Sequence, residues 1–150
     1  MAIAPYATSG KGPVMGFASG AQGGDILFHE QCRAVQIPTM IVLPFSPEIF
    51  VQTSVRGIPE SDWERRFWRL WSATSEAQRE IMNLHQSDDA YSICNRHLLE
   101  RAQEHGAVHL IALWDGKLGD SPGGTADLVD RIGILNQPDI FTPAGLKADE

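Results

Sequence analysis

Basic residues are scarce in this chain. Twelve lysines and arginines face nineteen aspartates and glutamates over 150 residues, a formal charge of −7. A protein that grips a nucleic-acid backbone needs clustered Lys and Arg, so that partner is disfavoured. The one dense basic cluster, Arg65-Arg66 with Arg69, alternates with Trp and Phe and follows Glu60, Asp62 and Glu64. Long apolar runs are missing too. No stretch approaches the roughly 20 residues of a membrane span, and the start lacks a basic segment followed by an apolar core. No membrane partner and a cytoplasmic location are therefore expected. Cysteine is limited to Cys32 and Cys94, without framework spacing, which reads as two buried reduced thiols. Internal repeats and low-complexity segments are absent.

What is present is an ordinary globular composition, 43% hydrophobic and 21% charged, in a chain of single-domain size. Residues 1–12 read as a loose lead-in. Val14 to Ala18 is an apolar, strand-like run. Helical spacing of Ile26, Leu27, Phe28, Cys32 and Val35 follows, with Asp25 at the N-cap position. Pro38 closes that helix, and Thr39 to Leu43 is the clearest strand. The three elements have the size of a right-handed parallel crossover. Ser46-Pro47-Glu48 is a helix start: cap, proline at the first position, then an acid that suits the dipole. Glu60 to Ser72 is helical and carries Trp63, Phe67, Trp68, Leu70 and Trp71. Its wide aromatic face is buried on its own sheet or, alternatively, against a second copy, and a homo-oligomer is expected. A further helix is placed over Ser75 to Leu84, and another from Asp88 or Asp89 to Gly106. The third strand is expected at Val108 to Trp114, with a helix over Thr125 to Gly133, a short strand at Asp139 to Phe141 and a tail after Thr142.

Two glycine-rich turns carry the functional signal. Gly16 to Asp25 contains Ser19-Gly20-Ala21-Gln22-Gly23-Gly24, and Trp114 to Asp127 contains Pro122-Gly123-Gly124-Thr125. Each follows a strand-like run and precedes a helix-like one, which places it at the carboxyl end of a strand, where ligands of open α/β sheets settle. Glycines let backbone N–H groups approach an anion, and the helix N-terminus adds partial positive charge. The first turn is not a Walker loop, since no Lys-Ser/Thr pair follows it. It also departs from the dinucleotide fingerprint, whose glycine positions hold Ala18, Gly20 and Gly23. A tight connector without a ligand is the plain alternative for the first turn taken alone. The long segment Gly116 to Ser121 suggests a flap.

These motifs, Ser-Gly-Ala-Gln-Gly-Gly-Asp-Ile-Leu-Phe-His-Glu, Ile-Val-Leu-Pro-Phe, Leu-Ile-Ala-Leu-Trp-Asp-Gly and Pro-Gly-Gly-Thr-Ala-Asp, resemble the SLOG superfamily over roughly residues 13–135. That group is named for the DNA-processing Smf protein and the Lonely Guy enzymes. The resemblance implies an α/β, three-layer Rossmann-like domain with a mostly parallel sheet of about four or five strands. It also implies a nucleotide or phosphosugar ligand, held by a sensor or regulatory domain or cleaved at its N-glycosidic bond. Lonely Guy enzymes carry Pro-Gly-Gly-x-Gly-Thr-x-x-Glu; here the motif is shorter between the glycines and Thr125, and Leu128 stands where the glutamate belongs. The catalytic arginine of those enzymes has only Arg96 and Arg101 as counterparts, without its flanking motif. Binding is therefore favoured over catalysis, and a ligand-free oligomerising interaction module built on the Trp63 to Trp71 face is the remaining alternative.

The expected ligand-binding residues are Ser19, Gly20, Ala21, Gly23, Gly24, Asp25, Asn95, Arg96, Trp114, Asp115, Gly123, Gly124 and Thr125. Arg96 is the better phosphate partner of its helix, because a guanidinium forks to two oxygens. Trp114 would stack on a base or pack in the core. If there is chemistry, Glu30 and Asp127 are the candidate catalytic carboxylates. Asp25 and His29, four apart, read as N-cap and partly exposed neighbour ahead of a metal pair, since no third ligand has metal-site spacing. His109 reads as a satisfied core histidine. No cofactor and no metal are expected.

Overall fold

The computed structural model describes residues 14–113 and 139–141, with the backbone alone for 112, 113 and 139–141. The chain falls into two compact units, Met1–His85 and Gln86–Glu150.

The first unit is built on a parallel sheet of order β1-β2-β3. Its elements are β1 (Gly16–Ala18), α1 (Gly24–Ala34), β2 (Thr39–Leu43), α2 (Pro47–Ser54), α3 (Trp63–Ala73), a 3₁₀ turn (Glu76–Gln78) and β3 (Arg79–Ile81). Register is set by Gly16 opposite Thr39 and by Ile41 opposite Arg79. The order is that of half a doubly wound sheet, so the α/β class stands, with three strands in this sheet. The continuous apolar run of β2 is what a strand covered on both faces requires, and β2 is buried along its whole length.

The local signals act as the residue types dictate. Ser46 caps α2, its hydroxyl accepting from the Ile49 N–H at 3.5 Å, with Pro47 in the first position. α1 ends in a paired motif in which Ile37 N–H donates to Cys32 C=O at 2.8 Å and Gln36 N–H to Arg33 C=O at 3.2 Å. Gln36 takes the left-handed position there, φ 61, which glycine usually fills. Cys32 is a buried thiol, and burial pushes it up to about 11.

α1 packs against α3. The core joins Ile26 and Cys32 of α1, Ile41 to Leu43 of β2, Phe50 and Val51 of α2, Val55, and Phe67 and Leu70 of α3. The aromatic face of α3 is largely used within the unit. Phe67 stacks on Trp71, stands edge-on to Trp68 and reaches Phe50. Arg66 lies 4.4 Å over the Trp63 ring and Arg79 4.9 Å over Trp71. Trp63, Trp68 and Trp71 stay half-buried.

The helix expected over Ser75 to Leu84 is not formed. That segment is the 3₁₀ turn and β3, the third strand of the sheet. Arg-Glu-Ile has no apolar period to announce a strand; pairing with the buried β2 places it there. The chain runs on beside β2, with Met82 N–H donating to Leu43 C=O and Leu84 N–H to Pro44 C=O.

The second unit holds α4 (Ala90–His105) and a parallel pair, β4 (Ile111–Leu113) with β5 (Asp139–Phe141). Of the strand expected over Val108 to Trp114, Ile111–Leu113 is formed and pairs in parallel with β5, while Trp114 lies outside the described residues. His109 precedes β4 and is exposed, so it is not a core histidine. Cys94 and Asn95 are buried on α4. No described helix is long and apolar enough to cross a membrane.

Candidate functional site

The turn from Ser19 to Gly23 leaves the carboxyl end of β1 and feeds α1. Gly23 is the N-cap residue, with φ 89 and ψ −121 and no side-chain cap bond. Glycine adopts that backbone freely and L residues rarely do. A Cβ added there would meet no atom within 4 Å. The first-turn N–H groups of Gly24, Asp25 and Ile26 have no acceptor inside the helix, and Gly24 is exposed. An 11-residue helix adds its partial positive charge at this end.

Two other donors of the turn are already used. Ala21 N–H donates to the Asp25 carboxylate at 3.1 Å, and Gln22 N–H donates to Ser54 C=O at 3.0 Å. Asp25 is therefore not the N-cap. It sits at the second helical position and reaches back to fasten the turn. Burial pushes its carboxyl from 3.8 up to about 6, against the lowering effect of the Ala21 N–H. Gly20 serves packing: it is buried, and a Cβ there would come within 2.9 Å of the Phe67 ring. Ser19 Oγ and Gln22 Oε1 are buried without a hydrogen-bond partner, and the Gln22 side chain fills the space where Gly57 would carry a Cβ.

His29 is fully buried, not a partly exposed neighbour of Asp25. Its Nε2 lies 2.8 Å from Ser19 C=O and its Nδ1 2.8 Å from Thr39 Oγ1. A carbonyl only accepts, so the neutral ring carries its proton on Nε2, and Nδ1 accepts from the Thr39 hydroxyl. Burial lowers the imidazole from 6.5 to about 4, outweighing the hydrogen bonds to backbone at Ser19 and Ala18. The ring is thus a neutral tie between the turn and the first residue of β2.

Glu30 is held by Arg66 from α3. Arg66 Nε donates to Oε2 at 3.0 Å and Nη2 donates to Oε1, while Asp62 lies 3.8 Å from the same guanidinium. Both oxygens of this candidate catalytic carboxylate are engaged in joining two helices. Asn95 and Arg96 belong to α4 in the second unit, one buried and the other exposed. Trp114, Asp115, Gly123, Gly124, Thr125 and Asp127, with the flap Gly116 to Ser121 and the helix Thr125 to Gly133, lie outside the described residues. Among the described residues no three His, Cys, Asp or Glu side chains gather as metal ligands.

The structure thus brings Ser19, Ala21, Gly23, Gly24 and Asp25 together around one helix start and assigns Gly20 to the core. The sequence reading missed three parts of this arrangement: Phe67 beneath Gly20, Ser54 on Gln22 N–H, and Thr39 on His29. Only the last left a local trace, a polar residue opening an otherwise apolar strand. Comparison with protein-family models, with characterised proteins and with solved structures finds no match for this chain.

Proposed function

We propose that this chain is a SLOG-like, Rossmann-like domain that binds a nucleotide or nucleotide-derived ligand as a sensor or regulatory module. The observation that carries the reading is the start of α1. Gly23 holds a left-handed backbone with open space beside it, no side chain caps the helix, and the first-turn N–H groups, which have no acceptor inside the helix, begin at the exposed Gly24 after the carboxyl end of β1. Such an end attracts a phosphate. The alternative of N-glycosidic hydrolysis through Glu30 has less support, since that carboxylate is bound to Arg66.

A thermal-shift panel of AMP, ADP, ATP and ribose 5-phosphate tests the reading. A ligand at 100 times its dissociation constant adds about 2.7 kcal/mol of stability. Gly24→Asp is the matched control: an acid in the first turn suits the helix but puts a charge where phosphate would sit. The shift should vanish in that variant. No stabilisation by any of the four, or the same stabilisation in Gly24→Asp, would discard the proposal.

A further inference from the structure

At the amino edge of the same sheet an open cleft of about 270 Å³ lies between the end of α1 and the segment after α3. Arg33 lines it from the last turn of α1, Gln36 from the turn just after that helix, Thr39 from the start of β2, Thr74 from the residue that follows α3 and Gln78 from the 3₁₀ turn. Because Thr39 pairs with Gly16, the first residue of β1, this is the edge remote from the turn after β1. The cleft therefore needs an explanation of its own.

Its polar groups are unevenly occupied. Thr39 Oγ1 bonds to His29 and Thr74 Oγ1 donates to Leu70 C=O, so both hydroxyls serve the fold. The Arg33 guanidinium and the Gln36 carboxamide have no partner among the described residues. Gln36 bears a conformational cost as well. It occupies the left-handed position that ends α1 at φ 61, where glycine fits without strain. The Arg33 and Gln36 side chains are both exposed, so their polar groups stand open to a ligand entering the cleft, and the left-handed backbone fixes where the Gln36 side chain starts.

We propose that this cleft binds a small carboxylic acid, with the Arg33 guanidinium clasping the carboxylate and Gln36 bonding to a neighbouring polar group. A guanidinium fork matches the two oxygens of a carboxylate. The volume lies just below the range of about 300–1,000 Å³ that drug-sized ligands fill, and an amino or keto acid fits within it. The charge balance favours a monoanion over phosphate: Arg33 is the one cation among the residues lining the cleft, and the carboxyl end of α1 contributes partial negative charge.

The test is an amide-NMR titration of the ¹⁵N-labelled protein with L-alanine, L-glutamate, pyruvate and succinate, and with inorganic phosphate as the contrasting anion. At least one carboxylate should give saturable shifts at Arg33, Gln36, Thr39 and Gln78, with phosphate giving none. Arg33→Ala alters an exposed side chain and should weaken that binding about tenfold or more. Gln36→Gly relieves the left-handed backbone, so it folds, and should weaken binding about threefold. No saturable shift up to about 20 mM with any carboxylate, equal or tighter binding of phosphate, or unchanged affinity in both variants would overturn the proposal.

Discussion

Gly20 lies against the ring of Phe67 so closely that a single added methyl group would come within 2.9 Å of Cε2. The turn after β1 is therefore fitted to α3. Gly20→Ala should destabilise the protein by about 1–3 kcal/mol, because overpacking forces ring and backbone to move. Gly23→Ala should cost about as much for a different reason: nothing stands near its Cβ, but its backbone is one that L residues rarely adopt. Urea unfolding in a Phe67→Leu background separates the two. The smaller side chain should recover part of the Gly20→Ala loss and none of the Gly23→Ala loss. Equal recovery, or none in either, would contradict this division of labour.

The pair Glu30–Arg66 makes a second expectation. Their side chains are 31% and 24% exposed, so solvent screens the pair in part, and the interaction is nearer in size to a good surface pair than to a buried one. Glu30→Gln should cost about 1 kcal/mol. A double-mutant cycle with Arg66→Gln should return a coupling energy of similar size. If Glu30 were instead a catalytic base, the substitution would leave stability unchanged and abolish release of free base from nucleoside monophosphates.

What the sequence discloses and what it conceals follow from the range of the forces involved. β2 was legible because an unbroken apolar run is the signature of a covered strand, and the start of α2 was legible because Ser46 and Pro47 act within one turn. The glycine turn announced a helix start with open backbone. β3 was hidden, since Arg79, Glu80 and Ile81 gain their place from pairing with β2 and from nothing local. The role of Gly20 was hidden as well, because Phe67 lies far along the chain and reaches it only through the packing of α3. Asp25 was expected at the cap, yet the cap is Gly23, and a carboxylate two residues on can still fasten the turn by reaching back to Ala21.

Thr39 and His29 allow a test of the assigned tautomer. With Nε2–H spent on Ser19 C=O, the Thr39 hydroxyl is the donor to Nδ1. Thr39→Val keeps the shape and removes that donor, leaving a buried ring nitrogen unsatisfied at a cost of about 1–3 kcal/mol. Thr39→Ser should retain most of the stability. Imidazole ¹⁵N shifts of the native protein should show Nε2 protonated at neutral pH. A proton on Nδ1 would reverse the assignment and the expected effect of both variants.

Asp25 and His29 also make opposite contributions to acid stability. The native carboxyl of Asp25 titrates at about 6 against 3.8 when unfolded. Folding thus takes up a proton, and its contribution is fully present below 3.8 and lost as pH rises through 6. His29 titrates at about 4 in the native state against 6.5 unfolded. Its contribution is present above 6.5 and lost as pH falls toward 4, because the unfolded chain then binds the proton more readily. At about 1.4 kcal/mol per pKa unit each term is on the order of 3 kcal/mol, so between pH 4 and 6 they largely offset each other. Asp25→Asn removes one side of the balance while keeping an acceptor for Ala21 N–H. That variant should be more stable than the native protein at pH 7 and should lose stability steeply from pH 6.5 to 4, where the native profile is nearly flat. Denaturation curves across that window measure both slopes, and parallel slopes would mean that Asp25 titrates as an ordinary carboxylate.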